Sequence, residues 1–347
     1  MESSVAVCPK RMQYGPCGGV EFDGRCEVAE HACVFLDTPT VRWAGGPVSP
    51  GAPAVPSVPE PGSDMRGLLR QRQIVVADLP ARALSSASIE AVGGILRGTV
   101  DAVLAGDSGA ERVQFSPAYR ASLVQRAGLR VWTGLNCRDR NRVALEGELA
   151  ALADAGVAAV HCVTGDHTDT GSRPDAQPVF DLDSTRLAAL AREAGHLVSV
   201  AESPCAPPVS RRAARLAEKA KAGAEVCFVN HAGGAAPVAA FIREAQDHGA
   251  ALAFLPCVPV VVDAASARLL ESFTTLVLPP GYLGRILRAR DPFAEGVAAA
   301  VELSQELLAL HGVRGVNLSG GAGPDGAERF AEALAAIGTE LAPTIAT

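Results

Sequence analysis

The sequence predicts an α/β chain, a (β/α)8 barrel preceded by a small cysteine-rich module. Three observations carry that expectation. From Leu68 onward, short apolar runs alternate with amphipathic segments, and eight such runs can be counted. Nearly every run ends in a polar cluster, as the strands of a barrel end on the rim where its chemistry sits. Four cysteines fall within the first 37 residues, ahead of a stretch rich in Pro, Gly, Ala and Ser. A doubly wound sheet is the main competitor for the alternating region, and 347 residues suffice for either architecture plus an appendage.

The N-terminal segment VCPKRMQYGPCGGVEFDGRCEVAEHACVF holds Cys8, Cys17, Cys26 and Cys33 among Gly15, Gly18, Gly19 and Gly24. Four thiolates in so short a segment can close around one metal, which would supply the folding energy that a peptide without a core lacks. Zinc held by all four cysteines is the leading assignment and an iron–sulfur cluster the second. The spacing is not the paired CxxC, so a loose segment with free thiols is the plain alternative. His31 reads as a solvent-facing bystander. Residues 1–37 are accordingly the metal-binding module. Residues 38–65, with VRWAGGPVSPGAPAVPSVPEPGSD, form an extended linker. Residues 66–347 are the barrel, expected to fold without what precedes it.

The strand candidates are Ile74 to Ala77, Ala102 to Ala105, Val131 to Leu135, Ala158 to Val163, Leu197 to Ala201, Val226 to Val229, Ala251 to Leu255 and Val313 to Leu318. Helical periodicity fills the gaps between them, and a last helix is expected over Ala327 to Ile337. The stretch from Arg130 to His167 shows the pattern most clearly. A strand stops at Cys137-Arg138-Asp139-Arg140-Asn141-Arg142, a helix follows with Leu145, Leu149 and Leu152 on one face, and the next strand ends in Thr164-Gly165-Asp166-His167. A right-handed crossover brings both polar ends to one rim, so Asp139 and Gly165-Asp166 are expected as two walls of one pocket.

The other strand ends present Asp78, Asp107, Glu202-Ser203, Asn230-His231, Cys257 and Asn317-Leu318-Ser319. A single polar residue after a strand is ordinarily a helix cap, which is the plain reading for Asp107, Glu202 and Ser319. Asp78, at the mouth of an apolar-walled pocket, would have a pKa raised enough to donate a proton. The glycines of SGGAGP after the last strand suggest a weak phosphate-binding nest. A net charge of -7 without blocks of like charge argues against nucleic acid and polybasic membrane anchoring. No run of about 18 apolar residues is present. Nine cysteines in a large α/β chain are more often buried thiols or metal ligands than disulfides, so the chain is expected to be cytoplasmic.

The segment LNCRDRNRVALEGELAALADAGVAAVHCVTGDH resembles the centre of the methylenetetrahydrofolate reductases, and LAEKAKAGAEVCFVN is similar to their later lysine-bearing helix and strand. The cysteine segment is similar to a module attached to some bacterial members of that family. The resemblance implies a barrel that transfers hydride from NAD(P)H to 5,10-methylenetetrahydrofolate, giving 5-methyltetrahydrofolate in one-carbon and methionine metabolism. It places Asp139, Gly165, Asp166 and Lys219 on FAD, with Asp139 also adjusting the flavin's electronics. It makes Asp78 the proton donor to the folate, in place of a glutamate, and Asn230 a folate contact, in place of a glutamine. Here the aromatic pair expected after that position reads His231-Ala232, which removes a stacking surface. Two other readings stay open: a tetrahydrofolate-dependent one-carbon transferase without net redox, and a non-catalytic metal-bearing subunit that docks an electron-transfer protein. A homo-oligomer is compatible with each.

Overall fold

A computed structural model describes residues 7–45, 62–107, 111–323 and 326–345, with side chains to residue 342. The part of the expected linker between residues 46 and 61 lies outside the described residues.

Eight parallel strands close a barrel in sequence order, as expected: β1 (Ile74–Asp78), β2 (Ala102–Ala105), β3 (Val131–Asn136), β4 (Ala159–Val163), β5 (Val198–Glu202), β6 (Val226–Val229), β7 (Ala253–Pro259) and β8 (Gly315–Ser319). β1 pairs with both β2 and β8, which excludes the open sheet. The strands read as continuous apolar runs because they are buried on both faces. Ile74, Val76, Trp132, Val226, Phe228 and Leu255 point into the barrel, while Val75, Ala77, Val131, Cys227 and Val229 face the surrounding helices. Cys137, Cys162 and Cys227 are buried among apolar neighbours, as small hydrophobes would be.

Two helices escaped the sequence reading. The first, α1 (Ser63–Gln71), was taken in part for linker. Its Met65 and Leu69 pack with Ile74, Val76 and Trp132, so it plugs the amino-terminal end of the barrel. The remaining helices are α2 (Ser86–Leu96), α3 (Pro117–Arg126), α4 (Arg142–Asp154), α5 (Ser184–Glu193), α6 (Arg212–Lys221), α7 (Ala235–Asp247), α8 (Ala264–Glu271), the short unexpected α9 (Tyr282–Leu287), α10 (Pro292–Leu308) and α11 (Ala327–Ile345). Side-chain caps start several of them. Asn141 accepts from the amide of Ala144, and Asp183 from those of Thr185 and Arg186. Among the described residues no helix is long and apolar enough to cross a membrane.

The cysteine segment has almost no regular structure beyond the antiparallel bridges Val20–Cys26 and Arg25–Ala32. It lies packed on the barrel. Amides of Gln13 and Tyr14 donate to the Asp183 carboxylate at 3.2 and 3.3 Å. Arg211 donates to the carbonyls of Phe35, Leu36 and Thr38. The amide of Trp43 donates to Glu218 at 2.6 Å.

Candidate functional site

At the carboxyl-terminal rim a cavity of about 300 Å³ opens between the ends of β2 and β6, a size at the lower edge of small-molecule sites. The barrel contributes Gly106 and Asp107, Gly134 and Arg138, the run from His161 to Asp166, Ala201 to Ser203, and Asn230. Arg215 and Lys219 of α6 close one side, and Lys10 with residues 16–19 of the cysteine segment closes another. Two glycines are needed to let the strand ends approach. A Cβ on Gly134 would stand 2.8 Å from the Gly106 Cα. Gly165 has φ +89°, where an L side chain is strained, and its Cβ would lie 3.1 Å from that of Asn136.

The residues expected at the site divide into groups. Gly165, Asp166, Lys219 and Asn230 line the cavity, whereas Asp139 and Asp78 do not. Asp139 instead holds Arg138, which donates to its two oxygens at 2.6 and 2.7 Å and reaches Asp107 at 3.4 Å. Asp139 therefore orients the guanidinium that does face the cavity. Asp166 is largely exposed and pairs with Arg112 at 3.4 Å. Asn230 donates from Nδ2 to Ser203 Oγ at 2.8 Å.

Lys219 is buried. Its Nζ donates to the Ala201 carbonyl at 2.6 Å and to Glu202 at 2.8 Å. Glu202 is no helix cap. Its buried carboxylate also meets Arg212 at 3.2 Å and lies 3.9 Å from Arg215 Nε. Burial alone would raise its pKa, but the fields of Lys219, Arg212 and Arg215 hold it down to about 2.

Asp78 ends β1 on the far side of the rim, accepting from Asn317 Nδ2 at 2.9 Å and from the Gly320 amide at 3.1 Å. Burial raises its pKa against those hydrogen bonds and one from Ser319. The Gly320 amide is thus committed to Asp78, and the first N–H of the expected phosphate nest is not free for an anion.

Sequence reasoning missed His161. Inward-facing like Ala159 two residues earlier, it sits in the cavity floor with its ring against Phe228 at 4.8 Å. Its Nδ1 lies 2.8 Å from Ser199 Oγ, which accepts from Trp132 Nε1 at 2.8 Å. Burial, aided by Lys219, pushes its pKa down to about 3, so the ring is neutral at physiological pH. Alternation within β4 was the signal that would have found it.

Cys8, Cys17, Cys26 and Cys33 are half-buried free thiols. Burial, reinforced by the fields of Cys17, Cys8 and Cys26, pushes the Cys33 thiol up to about 11. The four are thus brought into one another's range. Among the described residues, however, no group of three or more His, Cys, Asp or Glu side chains is arranged to hold a metal ion, and the segment as folded here does not fit one. His31 is exposed and its ring bonds the Ala32 carbonyl. The cations of this rim are matched by the protein's own carboxylates, Lys219 by Glu202 and Arg138 by Asp139 and Asp107. No Phe, Tyr or Trp lines the cavity.

Residues 3–40 match a family described as "Methylene-tetrahydrofolate reductase C terminal". No curated protein matches the chain. Among solved structures, an uncharacterized protein from Clostridium thermocellum that binds two copies of 5-methyl-5,6,7,8-tetrahydrofolic acid is similar to it at 10% identity, over 78% of this chain and 97% of its own, with a TM-score of 0.55. That likeness is one of fold. A 2,3-dimethylmalate lyase of the PEP mutase/isocitrate lyase superfamily (15% identity, 74% of this chain, 80% of its own, TM-score 0.43) and a putative lyase/mutase from Burkholderia cenocepacia J2315 (17%, 73%, 79%, 0.43) are too distant to bear on the site. The match at residues 3–40 bears out the resemblance of the cysteine segment to a module of the methylenetetrahydrofolate reductases.

Proposed function

We propose that the rim cavity binds a reduced folate and that the protein reduces 5,10-methylenetetrahydrofolate to 5-methyltetrahydrofolate. The observation that carries this reading is the cavity itself. Its lining combines the glycines Gly106, Gly134 and Gly165 with neutral His161 in the floor and the polar side chains of Asn230 and Asp166. Such a slot suits a flat ring with donors and acceptors on its edge. The folate-binding neighbour of the same fold and the module's family both support a folate as the ring.

In this reading a protein acid protonates the folate as its methylene bridge opens, and a hydride from NAD(P)H then reduces the iminium carbon. Asp78 takes the part of the acid on the resemblance. It ends β1 on the same carboxyl-terminal rim, not in the cavity's lining, and burial raises its pKa, so a folate it protonates must extend from the cavity toward β1. Asn230, Asp166 and His161 orient the ring. NAD(P)H as the hydride donor and FAD as a bound flavin are both what the resemblance implies.

The test titrates 5-methyltetrahydrofolate and methylenetetrahydrofolate into the full-length protein and follows NADH or NADPH oxidation with and without added FAD. Asp78→Asn is expected to leave folate affinity nearly unchanged and to lower turnover by about two to four orders of magnitude, the range for a lost general acid. An unbound folate would end the proposal. Folate binding without nicotinamide oxidation would replace it with a one-carbon transferase.

A further inference from the structure

The cysteine segment forms one face of the cavity, and nothing in its family description or in the pattern of its cysteines requires that. Its carbonyls are clasped from below by two buried guanidinium groups of α6: Arg215 Nη1 donates to Tyr14 at 2.9 Å, and Arg212 Nη1 to Cys17 at 3.0 Å. On the other flank, the His167 amide that follows the β4 loop donates to Glu27 at 3.3 Å, and Glu27 is ion-paired with Lys10 in a nearly solvent-free position. Gly19 makes room for that pair, since a Cβ there would stand 1.8 Å from the Glu27 carboxylate. The loop between these two anchors, Pro16-Cys17-Gly18-Gly19, borders the cavity opposite Gly106, Gly134 and Gly165.

Glycines thus stand on both the module and the barrel sides of the cavity, among polar side chains such as Lys10, Asp107 and Arg138. Five of its lining residues are glycines and none carries a Phe, Tyr or Trp ring. A planar ligand is held well between two flat surfaces, and where side-chain rings are missing, peptide planes can serve. We propose that the loop of residues 16–19 in the cysteine module is the upper stacking face for a planar heterocyclic ligand, so that the ligand site is shared between module and barrel and is incomplete without the module. The identity of that ligand as a reduced folate rests on the function proposed above; the shared site does not. Buried Arg215 adds a polar edge to this face: it lines the cavity and its Nε, 3.9 Å from Glu202, has no hydrogen-bond partner.

Gly18 offers a clean probe. Its backbone is not in the left-handed region, a Cβ there would meet only Ser203 Oγ, at 3.8 Å, and Gly18 borders the cavity, so an added side chain is unstrained at its root and bears on the ligand space. Gly18→Leu in the full-length protein is expected to leave the melting temperature in place and to weaken 5-methyltetrahydrofolate binding by at least about tenfold by calorimetry. Phe22→Ala, on an exposed side chain of the same module, is expected to leave both unchanged. A second measurement needs no ligand. The double variant Gly18→Cys/Ser203→Cys, oxidised with oxidised glutathione and mapped by peptide mass spectrometry, is expected to join the two positions, because a Cβ on Gly18 would stand 3.8 Å from Ser203 Oγ. Absence of that cross-link, or Gly18→Leu binding the folate as tightly as the unaltered protein, would overturn the shared site. A cross-link in a protein that binds no folate would overturn the folate reading and leave the shared site standing.

Discussion

At Glu202 a single carboxylate faces three buried cations, Lys219 at 2.8 Å, Arg212 at 3.2 Å and Arg215 at 3.9 Å. Removing it strands those charges in a place that water does not reach, which costs about 3–5 kcal/mol for a buried pair. Glu202→Gln is therefore expected to be destabilised by that order in denaturant titrations. The pH dependence has a definite sign. The folded carboxyl is depressed to about 2 from an ordinary 4.5, so its stabilisation is complete above 4.5 and is lost as pH falls toward 2. The variant should lose less stability than the unaltered protein across that window, and equal losses would sink the account. His161, whose pKa is also depressed, contributes a loss beginning nearer neutrality in both proteins. None of this was legible in the sequence. Glu202 and Lys219 stand 17 positions apart, and a strand-end glutamate reads as a cap until the helix that answers it is seen folded over.

The elements themselves were legible for a physical reason. Strands buried on both faces leave runs of Val, Ile, Leu and Ala, and helices packed on them leave three- and four-residue spacing, so alternation gave the elements, while the pairing of β1 with β8 closed them into a barrel. The misses were the elements without that signature. α9 is six residues long, and α1 begins directly behind a proline-rich stretch. Strand-end loops were placed on one rim correctly, yet sequence order could not say which side chains of a loop face inward; Arg138 lines the cavity and its neighbour Asp139 does not. Glycine within β3 carries a consequence that can be measured. Because a Cβ on Gly134 would stand 2.8 Å from the Gly106 Cα, β2 and β3 would have to part where they wall the cavity. Gly134→Ala is expected to cost about 1–3 kcal/mol, the usual toll of overpacking, and to weaken ligand binding at the same time. A variant as stable as the parent would show that the strand ends are free to move apart.

Over the whole molecule the remaining question is how far the module and the barrel are separate. A proline-rich stretch between them suggests independence, whereas their contacts tie them together around one cavity. The two kinds of contact differ in what they support. Every residue of the two apolar cores lies at or beyond Met65, and the module's own buried Met12, Val20 and Phe35 belong to neither. What joins module to barrel includes many hydrogen bonds between charged side chains and backbone groups, with Arg212 donating to the Cys17 carbonyl and Asp183 accepting from the amides of Gln13 and Tyr14. Hydrogen bonds of that kind contribute modestly to stability when water can replace the partner, whereas a lost cavity wall cannot be replaced by water at all. A chain beginning at Gly62, which keeps α1 as the plug of the barrel, is therefore expected to fold cooperatively, at somewhat lower melting temperature because Arg212 and Arg215 lose their carbonyl partners. It should lose its affinity for a ligand that the full chain binds. Circular dichroism melts and calorimetry on the two chains decide the matter. An aggregated or unfolded fragment would make the module part of the folding unit, and a fragment that binds as well as the full chain would place the whole site in the barrel.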